Sequence, residues 1–187
     1  MRINQRGFWE NHTGKGHQFD KDLASAIVNL FISHDVESVL DLGCGMGDYS
    51  RLFQDNKFSV QAYDGNPHTP NLTAGLGQVA DLSEVFDCGQ EVDAVLSLEV
   101  GEHIPARFEQ TFMDNLVRSN PKLLVLSWAI PKQPGDGHVN CRSNDYIISN
   151  IEMRGYKSDI VLSEHLRRAA SLWWFKNTLM VFHKNLE

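Results

Sequence analysis

Residues 39–48 read Val-Leu-Asp-Leu-Gly-Cys-Gly-Met-Gly-Asp: an apolar run, an acid within it, then three glycines at alternate positions. Such a run predicts a buried strand that ends in a turn too tight for side chains. Glycine there permits positive φ and lets a ligand lie against the main chain. Tyr49 to Asn56, with Leu52 and Phe53 as apolar anchors, then predicts a helix. Strand, glycine turn and helix together open a nucleotide-binding α/β unit.

The rest of the chain extends that unit. Leu23, Ile27, Leu30 and Phe31 recur at helical spacing after Asp20, and Ser38 to Leu42 is the first strand. Further strands are expected at Phe58–Tyr63, Gln78–Ala80, Val92–Leu98 and Lys122–Trp128. Pro105 opens a helix carrying Phe108, Phe112, Leu116 and Val117, and Asn120-Pro121 breaks it. A helix from Asn144, read as its cap, to Arg154 is closed by Gly155. Tyr156–Leu162 and Thr178–His183 read as two last strands without a long crossover helix, so one strand near the C-terminus is expected to run antiparallel. The segment from Asn66 to Gly77, rich in Pro, Thr, Asn and Gly, makes a poor helix.

Alternating strands and helices predict a doubly wound, mostly parallel, seven-stranded α/β sheet. The 187 residues suit one domain, 1–187, in which 1–19 are a lid or flexible segment offering Trp9, His12 and His17.

Such sheets bind ligands at the carboxyl ends of their strands. An acid stands at or just after four of those ends: Asp41, Asp64, Asp81 and Glu99. Asp64, about one βα unit beyond the glycine turn, is placed to accept both hydroxyls of a ribose. Asp41 stands where a pyrophosphate needs positive partial charge, and the glycine spacing is not that of a dinucleotide fingerprint. Both features disfavour a nicotinamide dehydrogenase, whereas an ammonium group would find Asp41 a natural partner.

Asp41-Leu42-Gly43-Cys44-Gly45-Met46-Gly47 resembles the first motif of the class I S-adenosylmethionine-dependent methyltransferases, in particular the small methyltransferase-11/12-like group. The resemblance runs from about residue 20 to 184 and implies a Rossmann-like methyltransferase fold. It implies S-adenosyl-L-methionine as cofactor, held by Asp41, Gly43, Gly45, Asp64, Gly65, Asn66, Asp81, Leu82, Leu98 and Glu99. Asp64 would take the ribose, with Gly65 and Asn66 beside the adenine. Asp81 would accept the adenine amino group and the Leu82 N–H would meet a ring nitrogen. Leu98 and Glu99 would line the methionine end.

Glu99-Val100-Gly101-Glu102-His103-Ile104-Pro105 resembles a widespread segment of the same family. On a helical turn Glu99, Glu102 and His103 would share one face, although Gly101 loosens it. In the ubiquinone-pathway O-methyltransferases and the small-RNA 3′-terminal 2′-O-methyltransferases such residues hold a divalent metal. Here that set would be Glu99, Glu102, His103 and His138; a metal is possible but is not the expectation. His103 and His138 are the candidate catalytic residues, His138 as general base or acceptor contact in the loop 135–141. Trp128, Trp173 and Trp174 are candidates to line an aromatic acceptor pocket.

Net charge is −7, with 24 acids against 17 bases and no basic run. That argues against nucleic acid as the main partner and favours a small-molecule acceptor methylated on oxygen or nitrogen. A terminal RNA ribose, or a cofactor-binding module without catalysis, are the alternatives. Cys44, Cys88 and Cys141 lack metal or disulfide spacing, which with the absence of a signal peptide or membrane span points to the cytoplasm. Oligomeric state is open.

Overall fold

The computed structural model describes residues 3–10 and 17–185. Seven strands form one sheet: β1 Ser38–Leu42, β2 Ser59–Asp64, β3 Gly77–Val79, β4 Ala94–Leu98, β5 Leu123–Ser127, β6 Tyr156–Ser158 and β7 Met180–Lys184. Their spatial order is β3-β2-β1-β4-β5-β7-β6, and every pairing is parallel except those of β7 with β5 and β6. The chain moves outward from β1 to β3, then returns to lay β4 on the other side of β1. The resulting switch point lies between β1 and β4, where such sheets leave a crevice at the strands' carboxyl ends.

The apolar strands are continuous rather than alternating because both faces of the sheet are covered. On one face Val39, Leu96 and Val125 pack with Leu23, Ile27, Phe31, Phe53 and Leu166. On the other, Leu40, Leu42 and Leu126 pack with Phe112, Met113, Leu116, Ile147 and Ile151. The first layer comprises α1 (Lys21–Ser33), α2 (Asp48–Asp55), α6 (Ile160–Ala169) and α7 (Phe175–Thr178). The second comprises α4 (Glu109–Arg118), entered through a 3₁₀ turn at Ala106–Phe108, and α5 (Asn144–Glu152). Between Asn66 and Gly77 only α3, Thr69–Leu72, forms.

Caps explain the boundaries. Asp20 accepts the Leu23 N–H at 3.0 Å and thereby starts α1. Its carboxylate also accepts the Ser171 and Leu172 N–H groups, at 2.8 and 2.7 Å, tying the start of α1 to the loop after α6. Ser143, not Asn144, caps α5 by accepting the Tyr146 N–H at 3.3 Å. The expected strand 156–162 stops at Ser158. Asp159 accepts the Leu162 N–H at 2.8 Å and turns Ile160, Val161 and Leu162 into the first turn of α6. The last two strands are therefore linked through a helix, contrary to expectation, and Thr178 closes α7 rather than opening β7. No helix among the described residues is long and apolar enough to cross a membrane.

Candidate functional site

The parallel register sets Asp41 beside Ala62 of β2 and Leu96 of β4, so the exits of β1, β2 and β4 share one edge of the sheet. Ser97 Oγ donates to the Leu42 carbonyl at 2.7 Å and closes the seam between β1 and β4. The turn that follows takes positive φ at Gly43 (+89°), Gly45 (+53°) and Gly47 (+74°). Space adds a second constraint: a Cβ on Gly43 would lie 2.2 Å from a Val100 methyl, and one on Gly45 would lie 2.6 Å from the His17 ring.

The Gly45 N–H donates to Asp64 Oδ2 at 2.9 Å, so the acid ending β2 organises the turn after β1. The Asn66 N–H donates to Asp64 Oδ1, also at 2.9 Å. Asp41 is buried, and that burial pushes its carboxyl up to about 7, against the pull of a hydrogen bond from Ser50. Asp81 accepts the N–H and hydroxyl of Ser83 through Oδ1, at 2.9 and 2.6 Å, and Arg6 through Oδ2 at 2.9 Å.

A cavity of about 400 Å³ opens at this edge. It is bordered by Asp41, Gly43, Gly45, Asp64, Gly65, Asn66, Asp81, Leu82, Leu98, Glu99, His103 and His138, so every candidate cofactor and catalytic residue meets one space. Trp9, His17 and Trp174 border it too. Trp128 does not: it lies in the core, its indole N–H donating to the Asn140 carbonyl at 2.7 Å. Trp173 is half exposed outside it. His12 lies outside the described residues.

At the far end, Glu99 takes φ +54° as the chain leaves β4. Its N–H donates to Ser127 Oγ at 2.8 Å and its carboxylate accepts Gln133 Nε2 at 2.6 Å. Burial raises its carboxyl. Residues 100–104 form successive tight turns rather than a helix, with the His103 N–H on the Val100 carbonyl and the Ile104 N–H on that of Gly101. Gly101 is required there because a Cβ would lie 2.2 Å from the Trp128 ring.

The Glu102 carbonyl accepts the N–H groups of Val139 and Asn140, both at 2.9 Å, which brings the loop carrying His138 back to this turn. Glu102 is fully buried, and neither carboxyl oxygen has a hydrogen-bond donor among the described residues. Burial, then the neighbouring Glu99, raise its carboxyl well above the usual range. Burial and the proximity of His138 hold the His103 imidazole down at about 4, and its Nδ1 lies 3.2 Å from the Gly137 carbonyl. Potential ligand atoms of Glu102, His103 and His138 lie within 4.8 Å of one another. His138 Nε2 lies 3.8 Å from Glu102 Oε1, and this buried carboxyl beside two imidazoles offers the donor set of a divalent-cation site once it is ionised.

Sequence reasoning missed Arg6, Phe8, Gln133 and Ser127. The first two stand in a stretch without periodicity, and the others meet Glu99 only through the fold.

No family model matches the chain. Among proteins of known structure it is similar to the sugar N-methyltransferase KedS8 from Streptoalloteichus sp ATCC 53650, at 14% identity and a TM-score of 0.72, covering 100% of this chain and 99% of that one. It is also similar to magnesium protoporphyrin IX methyltransferase from Synechocystis PCC 6803 with bound SAH, at 16% identity and a TM-score of 0.67, covering 92% and 90%. The fold is therefore that of the class I S-adenosylmethionine-dependent methyltransferases. By sequence the chain is 32% identical over 127 residues to a probable chloroplastic tocopherol O-methyltransferase of Oryza sativa subsp. japonica. That match covers 58% of this chain and 34% of the rice protein, so the chain spans about a third of that relative's length.

Proposed function

We propose that this chain is an S-adenosylmethionine-dependent methyltransferase that methylates oxygen or nitrogen of a small-molecule acceptor. What carries the reading is the convergence of Asp41, the glycine turn, Asp64, Asp81 and Glu99 on one cavity at the switch point of this fold. Names of similar proteins support the same chemistry on small acceptors. When bound, the cofactor supplies a methyl group on a sulfonium, a leaving group good enough that positioning dominates catalysis.

In this reading Asp64 accepts the ribose hydroxyls and Gly65 and Asn66 flank the adenine. Asp81 and the Leu82 N–H read the adenine edge. Asp41 faces the methionine ammonium, and Leu98 and Glu99 line that end. Gly43 and Gly45 allow close approach to the main chain. His103, kept neutral by burial, has an imidazole nitrogen able to receive the acceptor's proton, and His138 stands beside it with ring centroids 5.1 Å apart.

One observation favours a metal-assisted variant, in which the acceptor is a hydroxyl: the buried Glu102 carboxyl, without a hydrogen-bond donor among the described residues, gathers with His103 and His138. Those residues, with Glu99 next to them, would hold the ion, which would lower the pKa of a bound hydroxyl. The acidic balance of the chain weighs against RNA as the source of that hydroxyl.

The test is incubation of the chain with methyl-labelled S-adenosylmethionine and a metabolite extract. Transfer of label to an extract component is expected. Cofactor binding without transfer would point to a non-catalytic module, and no binding would overturn the reading.

A further inference from the structure

Ile3 to Glu10 form a hairpin: the Asn4 N–H donates to the Phe8 carbonyl at 2.8 Å, the Gly7 N–H to that of Asn4 at 2.9 Å, and Ile3 bridges Trp9 antiparallel. Distant parts of the chain hold it down. Arg107 Nη2 donates to the Gln5 carbonyl at 3.0 Å, and the guanidinium groups of Arg6 and Arg107 lie 5.6 and 4.6 Å from the centroid of the Phe108 ring. The hairpin reaches both ends of the cavity. Trp9 meets the His103 ring edge-on at 5.7 Å, while Arg6 pairs with Asp81 and, at 2.5 Å, with Glu84.

Two contacts coincide with positions assigned above to the adenine. At Gly65 a Cβ would lie 2.5 Å from Phe8 Cβ. Gly65 does not have the positive φ that would itself call for glycine, so the close approach of Phe8 accounts for the missing side chain. At Asp81, Oδ1 already accepts two bonds from Ser83, and Oδ2 is where Arg6 sits. An incoming amino group meets Arg6 at that oxygen.

We propose that the hairpin 3–10 is a strap that competes with the cofactor's adenine for Asp81 and the face of Gly65, so that cofactor entry exchanges Arg6 for the adenine amino group. The inference rests on the cofactor reading of those two positions. Glu84, well exposed, gives the displaced guanidinium a second anion to hold, which keeps the strap tethered while it lifts. Because Trp9 of the same hairpin covers His103, lifting at the adenine end also uncovers the acceptor end.

The experiment titrates S-adenosylmethionine into the full chain and its Arg6→Gln and Arg6→Lys variants by calorimetry, with hydrogen exchange of the peptide spanning residues 3–10 before and after saturation. Arg6→Gln is expected to bind about two- to fivefold tighter, the scale of one exposed ion pair removed from the competing state. Arg6→Lys is expected to fall back towards wild type. Protection of the Asn4 and Gly7 amides is expected to drop when cofactor binds. Equal or weaker binding by Arg6→Gln, or protection that rises on binding, overturns the strap while leaving the cofactor reading intact. A wild-type chain that does not bind at all, with the hairpin still protected, locates the failure in the cofactor reading and overturns the competition with it.

Discussion

Ser50 Oγ lies 2.5 Å from Asp41 Oδ2 and is the only hydrogen-bond donor that this carboxyl meets among the described residues. A single hydroxyl does not offset burial, which is why the group titrates at about 7 rather than 3.8. The native state therefore holds a proton there that the unfolded chain has lost. Fold stability falls as pH rises from about 4 to 7, and a cationic ligand needs the ionised form. Cofactor affinity is expected to rise about fivefold between pH 6 and 7 as the ionised fraction grows. Asp41→Asn is expected to bind more weakly and to lose this slope, which calorimetry at the two pH values would read. An unchanged slope in the variant would remove Asp41 from the cofactor site.

Asp64 serves the turn and, in the proposed reading, the ribose. Asp64→Ala removes the acceptor of the Gly45 and Asn66 N–H groups together with the ribose partner. It is expected to weaken cofactor binding by roughly 2–4 kcal/mol, about two charge-assisted hydrogen bonds. Unchanged affinity on calorimetric titration would sink the assignment.

Glu102 sets function against stability. A carboxyl buried without a donor among the described residues costs folding energy, so Glu102→Leu is expected to raise stability by about 1–3 kcal/mol in chemical denaturation, and to abolish turnover if the metal-assisted variant holds. In that variant manganese raises the melting temperature of the wild type and not that of Glu102→Leu; no shift in the wild type leaves the metal-free reading. A destabilised Glu102→Leu would show that the carboxyl has a structural role instead.

Asp93 gathers the N-terminal ends of three strands. It accepts the Glu37 and Ser38 N–H groups at 3.0 Å each and the Ser38 hydroxyl at 2.9 Å, and pairs with Lys122 at 2.7 Å. Burial alone would raise its carboxyl, but Lys122 and these donors hold it down at about 2. The native state thus favours the ionised form, and the stabilisation is present above pH 4 and lost as pH falls towards 2. Asp93→Asn is expected to cost about 2 kcal/mol at pH 7, with the difference from wild type vanishing near pH 2. Denaturant melts across that range would read it.

Gly101→Ala tests the packing beneath the Glu-His turn. Its Cβ would enter the Trp128 ring at 2.2 Å, so a loss of about 1–3 kcal/mol and a changed near-ultraviolet circular dichroism spectrum are expected. Wild-type stability would mean that Trp128 has room to move.

The glycine turn, β1 and the acids at 41, 64 and 81 were legible in the sequence because each is a local matter. A run of apolar residues, a positive-φ turn and an acid at a strand exit are decided by neighbours along the chain. The parallel register then aligns those exits whatever the details of packing. The start of α6 was less legible: Ile160-Val161-Leu162 suits a strand by residue type, and only the Asp159 side chain, accepting the Leu162 N–H, tips it into a helix. Gly101 was legible as loosening the turn but not for its packing, since the ring it makes room for stands 27 positions away and the local pattern does not contain it.

What tertiary structure alone decided is which distant groups meet. Arg6 reaches Asp81 across 75 residues of sequence, Gln133 reaches Glu99 across 34, and the loop of His138 is drawn to Glu102 by two backbone hydrogen bonds. No periodicity encodes such pairs, because their energy depends on the positions of whole elements. The sequence by itself determined a sheet edge with a glycine turn and acids at the strand exits. The packing determined that a hairpin borders this edge, and that a buried carboxyl, without a hydrogen-bond donor among the described residues, lies beside two imidazoles at its far end.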